Sequence, residues 1–135
     1  MLTAPPLNLV RIPRPARAEW STEGADPDGW SLPGRPVKVR FYDAGQPGLR
    51  DVRVVLEGAS ETVDALPFRL TFPGGRRGGQ VGADEVRDVR FTVCVPPGGF
   101  AEATLLTPAG VRIRDGRVVG LHLDGIEAPP TGRPC

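Results

Sequence analysis

The chain has 135 residues, of which 17 are Lys or Arg and 16 Asp or Glu, and its formal net charge is +1. So even a balance gives no whole-chain field toward nucleic acid or an anionic membrane surface. A chain of this length reads as one domain that buries roughly two-thirds of its unfolded surface, enough for a core without metal staples.

Glycine and proline, 18 and 16 residues, make up about a quarter of the sequence. The apolar residues between them are regularly spaced, so they are read as turns between short strands. No stretch approaches the roughly 20 apolar residues that span a bilayer, and the opening "MLTAPPLNLVRIPRP" has no apolar h-region. Taken alone, such a chain is expected to stay in the cytoplasm unless it is cut from a longer one.

In chain order, residues 1–15 read as a proline-rich arm. Leu7 to Ile12 alternates but is flanked by Pro5, Pro6, Pro13 and Pro15, which suits an edge strand or an extended segment. "ARAEW" places Ala16, Ala18 and Trp20 on one parity and predicts a second short strand with Trp20 in the core. "STEGADPDGWSLPGRP" is loop chemistry. "VKVRFYD" has the clearest period of two in the first half, with Val37, Val39 and Phe41 inward and Lys38, Arg40 and Tyr42 on the wet face.

Val52, Val54 and Leu56 share the inward parity of the next run. Phe68, Leu70 and Phe72 do the same in "LPFRLTF", with Arg69 and Thr71 outward. "PGGRRGGQVG" reads as a flexible hairpin loop in which weak sulfate or phosphate contact is a minor possibility; it lacks the Lys-Ser/Thr of a phosphate loop. "VRDVRFTVCV" sets Val89, Phe91, Val93 and Val95 against Arg90, Thr92 and Cys94. After a "PPGG" turn come "FAEATLL", "VRI", an Asp-Gly step and a final strand with Val119, Leu121 and Leu123 inward.

No segment sustains a helical period, and β-branched and aromatic residues dominate the runs. The expected fold is all-β: a single β-sandwich, jelly-roll or immunoglobulin-like, of roughly seven to nine short antiparallel strands. Residues 16–127 form the sandwich, and residues 128–135 are a tail.

Two thiols, Cys94 and Cys135, with one histidine do not make a four-ligand zinc site. One disulfide between them would close a loop of about 40 residues, worth about 4 kcal/mol in the chain-entropy model, and would imply an oxidising compartment. The alternative is a buried strand thiol and an incidental terminal one.

His122 is the obvious residue for acid–base work. Its ring is expected beside Asp124 in sequence but not in direction, and no G-x-S-x-G turn, Cys-His spacing or second histidine accompanies it. No catalytic residue is therefore expected, and the chain is not read as an enzyme. "DPDG", Asp26 to Gly29, begins like a calcium loop but is not followed by further oxygen ligands, and reads as a turn. No metal or other cofactor is expected.

Sugars stack their C–H faces on flat aromatic rings, which directs attention to Trp30, in a polar loop, and to Tyr42, beside Lys38 and Arg40. The ligand-binding candidates are Trp30, Tyr42, Lys38 and Arg40, with His122 and Asp124 on the final strand. The eight aromatics mostly have core parity and do not interleave with a positive stripe, so nucleic acid is not an expected partner.

The stretch "RFTVCVPPGGFAEATLLTPAGVRIRDGRVVGLHLDGIE", from Arg90, resembles the end of β-sandwich domains appended to actinobacterial membrane glycosyltransferase-like and related polytopic proteins. The likeness covers under a third of the chain and is carried by Cys94, Pro96, Pro97, Gly98, Gly99, Asp115, Gly116, Arg117 and Gly120. It implies a soluble, extracytoplasmic accessory domain without a membrane helix of its own, excised from or encoded beside a larger membrane-anchored chain or complex. The function expected is non-catalytic recognition of a glycan or a partner protein beside a membrane-bound enzyme. The alternative is a structural subunit or decoration protein that assembles by lending its N-terminal arm to a neighbouring sheet.

Overall fold

A computed structural model describes residues 19–135; the arm, Leu7 to Ile12, and Ala16 and Ala18 of the expected second strand lie outside the described residues. Among the described residues there are ten strands: β1 (Trp20–Glu23), β2 (Val37–Tyr42), β3 (Gly48–Glu57), β4 (Leu66–Phe72), β5 (Gly75–Val81), β6 (Val86–Val95), β7 (Phe100–Leu106), β8 (Val111–Arg112), β9 (Val118–Val119) and β10 (His122–Glu127). They form an antiparallel five-stranded sheet in the order β1-β2-β7-β4-β5, a three-stranded sheet β10-β3-β6 and a small β8-β9 hairpin. The fold is all-β, and the two larger sheets enclose one core as a sandwich.

Period-two alternation builds that core. Val37, Val39 and Phe41 of β2, Ala101, Ala103 and Leu105 of β7, and Phe68 and Leu70 of β4 face Val52, Val54 and Leu56 of β3 and Val89, Phe91, Val93 and Val95 of β6. Phe91 joins the sheets, meeting Phe41 edge-on at 6.4 Å and stacking on Phe72 at 4.4 Å. Trp20 packs against the core from β1, half-buried.

The strands depart from the sequence reading in several places. Ser21 to Glu23, expected in a loop, continue β1 along β2. "GGRRGG" is part of an ordered strand: Phe72 pairs with Gly75, so Pro73 and Gly74 alone make the turn, Gly74 at a φ of 96°, and the remaining residues run back along β4 as β5. Gly79 packs closely: a Cβ there would stand 2.7 Å from Arg87 Nη1 and 3.2 Å from the Phe68 ring.

The final strand is broken. β9 belongs to the small hairpin and β10 to the three-stranded sheet, with Gly120 and Leu121 between them and a bulge between Leu123 and Gly125. The extra strand β5 and this division bring the described strands to ten. Finally Arg50, on the inward parity of β3, is 1% exposed. Its guanidinium donates to the carbonyls of Tyr42, Gln46 and Ala128 at 3.1, 2.9 and 3.3 Å, while Nε has no partner.

Past β10 the tail continues beside β3: Asp51 N donates to Pro129 O, Thr131 N to Leu49 O and Leu49 N to Arg133 O. Cys94, exposed on β6 as its parity requires, is bonded to Cys135 with a Cα–Cα distance of 5.6 Å. Among the described residues no helix is long and apolar enough to cross a membrane.

The disulfide spans 41 residues, and a loop of that order contributes about 4 kcal/mol by restricting the unfolded chain. Reduction, or the double change Cys94→Ser and Cys135→Ser, is expected to lower the urea midpoint by a corresponding amount with the far-ultraviolet spectrum retained. An unchanged midpoint would show that the tail is held by its backbone bonds alone.

Candidate functional site

The six sequence candidates fall in two places. Lys38, Arg40 and Tyr42 stand on the outer face of β2. There Arg40 pairs with Glu102 at 2.8 Å and lies over the Phe100 ring at 5.1 Å, and the Tyr42 hydroxyl bonds Ser21 at 2.9 Å. Trp30, His122 and Asp124 come together elsewhere, at the β10 end of the three-stranded sheet.

A seam of backbone hydrogen bonds produces the second grouping. Gly120 N donates to Ser31 O at 2.7 Å, Ser31 N to Leu121 O at 2.8 Å and Leu123 N to Gly29 O at 2.8 Å. The loop that carries Trp30 thereby lies along the start of β10, opposite Glu57 of β3, which pairs with His122. Fully buried Ser31 locks the seam, with Oγ bonded to Thr107 Oγ1 at 2.8 Å and accepting from Leu121 N at 2.9 Å. A Cβ at position 120 would collide with both hydroxyls, which explains the glycine.

The expectation that Asp124 diverges from His122 is overturned. Residues two apart on a strand share a face, and His122 Nδ1 meets Asp124 Oδ1 at 2.5 Å. Nε2 meets the Asp28 carbonyl at 2.6 Å, and a carbonyl only accepts, so Nε2 carries a proton. The Trp30 ring stands edge-on to the imidazole at 4.9 Å. These side chains line an open cleft of about 580 Å³, completed by Glu57, Ser60, Glu61, Asp84, Arg114 and Asp115.

The cleft is acidic. The Glu57 carboxyl is held above its ordinary range, chiefly by the Asp124 carboxylate beside it, with burial adding to the effect. On the rim, Arg117 bonds Asp115 and Asp26 at 2.7 Å and Asp28 at 3.0 Å. Its guanidinium holds Asp115 below the usual carboxylate range. Asp26 Oδ1 accepts from the amides of Asp28 and Trp30, both at 2.9 Å, so "DPDG" is a side-chain-stabilised turn.

Glu57, Asp28 and Ser31 were not among the sequence candidates. Glu57 closes the run "VVLEG" as an ordinary strand-end carboxylate, and only its register with His122 reveals its place. No protein-family model matches the chain, and comparison with curated proteins finds no match.

A carboxyl whose folded pKa is raised contributes stability that is complete below its unfolded pKa and is lost as pH rises through the folded value. Glu57→Gln removes that loss. The variant is expected to equal the parent near pH 4, at the ordinary carboxylate range, and to exceed it by about pH 7, in denaturation measured at both. An equal difference at the two pH values would show that Glu57 does not feel Asp124.

Proposed function

We propose that this protein is a non-catalytic binding domain that recognises a glycan in the acidic cleft. The observation that carries this reading is the convergence of Trp30, His122, Asp124 and Glu57 around one open cleft. A sugar would stack its C–H face on the exposed part of Trp30, and the carboxylate oxygens would accept its hydroxyl protons in charge-assisted hydrogen bonds. Both ring nitrogens of His122 already have partners within the protein. That arrangement favours a positioning role, because no ring nitrogen is left to take a proton from a nucleophile.

The disulfide suits an oxidising compartment. The proposal therefore puts the domain outside the cytoplasm, beside a membrane-bound glycosyltransferase-like enzyme of the kind that carries the appended β-sandwich domains residues 90–127 resemble. Binding is non-covalent and reversible, and a shallow, open cleft suits modest affinity.

Titration calorimetry against cell-envelope polysaccharides is expected to show heat that Trp30→Ala reduces about tenfold in affinity, roughly 1.4 kcal/mol. Lys38→Ala with Arg40→Ala, on the other surface, is expected to leave the heat unchanged. Absence of heat together with an unchanged NMR spectrum would remove the glycan reading, and loss of binding in the Lys38/Arg40 variant would move it to the sheet face.

A further inference from the structure

The arginine-rich stretch that forms β5 takes no part in the cleft. β5 is the last strand of the five-stranded sheet, paired with β4 alone. Among the described residues no further backbone group bonds its far side; the carbonyl of Arg76 accepts only from its neighbour Arg77, at 2.9 Å. Residues 75–78 are exposed, and three of the seven residues of this strand are glycine. Its outer row of amides and carbonyls therefore stands open with little side-chain cover, the arrangement that accepts an added strand.

Arginines stand on both faces of this edge, and Arg77 shares its side with Asp51 and Glu127. Arg76 pairs with outward Thr71 and Arg69 with Gly78, so both arginines stand on the outer face. Arg77, opposite inward Leu70, turns the other way: its guanidinium lies over the Phe72 ring at 5.1 Å and donates to the Arg90 carbonyl at 3.2 Å. None of Arg69, Arg76 and Arg77 has a carboxylate partner among the described residues, whereas Arg53, Arg87, Arg90 and Arg117 all do. A strand laid on β5 alternates its side chains between the same two faces. Carboxylates on such a strand would meet a guanidinium on either side, in charge-assisted hydrogen bonds.

We propose that β5 is a docking edge for an extended acidic polypeptide segment, which adds as a sixth strand through backbone hydrogen bonds and is selected by Arg69 and Arg76 on one face and Arg77 on the other. The role is separate from that of the cleft and uses none of its residues.

The test is NMR titration of the full chain with a short synthetic peptide of repeating Glu-Glu-Thr-Thr, which as a strand presents carboxylates on both faces, in parallel with a Lys-Lys-Thr-Thr peptide. The acidic peptide is expected to shift the amides of residues 75–81 and slow their exchange with solvent, with binding weakened as salt rises from about 0.05 M to about 0.5 M. Arg76→Glu, an exposed change, is expected to weaken it on the order of fivefold, as for one exposed ion pair.

Four outcomes would overturn the proposal. They are no response along β5, an equal response to the lysine peptide, arginine side-chain shifts without amide protection (matched by an acidic polysaccharide such as polygalacturonate), and protection of β5 by concentration-dependent self-association. Trp30→Ala is expected to leave the peptide response intact, so failure here and failure of the glycan reading are told apart.

Discussion

The acidic end of the sandwich depends on the hydrogen-bonded seam between residues 29–31 and 120–123. A long loop rich in glycine and proline is costly to order, and this one is held without being part of a sheet. Alternating backbone bonds run to the start of β10, and the buried hydroxyl of Ser31 bonds both Thr107 and the Leu121 amide. Loss of that hydroxyl leaves a buried amide unpaired, a penalty of about 1–3 kcal/mol. The break in the terminal strand is part of the same device. Gly120 permits the close approach, and Leu121 beside it is fully buried. With the seam in place, Trp30 meets His122, and the Asp28 carbonyl and Asp124 hold the imidazole from its two sides.

The central strand β3 links this end to its opposite. Glu57 stands at one end and Arg50 near the other, about 23 Å apart at strand rise. A cation buried at 1% exposure is tolerated because three carbonyls solvate it. Those carbonyls belong to the end of β2, the following turn and the exit of β10, so the arginine ties together three segments that hydrophobic contact alone would leave free to shift. The disulfide and the tail bonds close the same region. One end of the sandwich is thus stapled, and the other is open and charged.

Alternation was enough to find the strands whose two faces differ. Val37 to Tyr42 and Val89 to Val95 read directly from the sequence, as did the outward thiol of Cys94, because each inward residue is apolar and each neighbour is not. β5 escaped because its first four residues are exposed and Gly-Arg-Arg-Gly-Gly carries no alternation; its strand character comes from pairing with β4. Arg50 escaped for the opposite reason: a charge at an inward position contradicts the rule that identified its neighbours. In the cleft, His122, Asp124 and Trp30 could be singled out by residue type. Their meeting could not, since it depends on a contact across 92 positions.

The most direct test of this account is the state of the His122 ring. Long-range nitrogen–proton spectra, with nuclear Overhauser effects to the indole of Trp30, are expected to show a proton on Nε2 and close contacts between the two rings. The absence of a proton on Nε2, or of any Trp30–His122 contact, would contradict the seam and the cleft it forms.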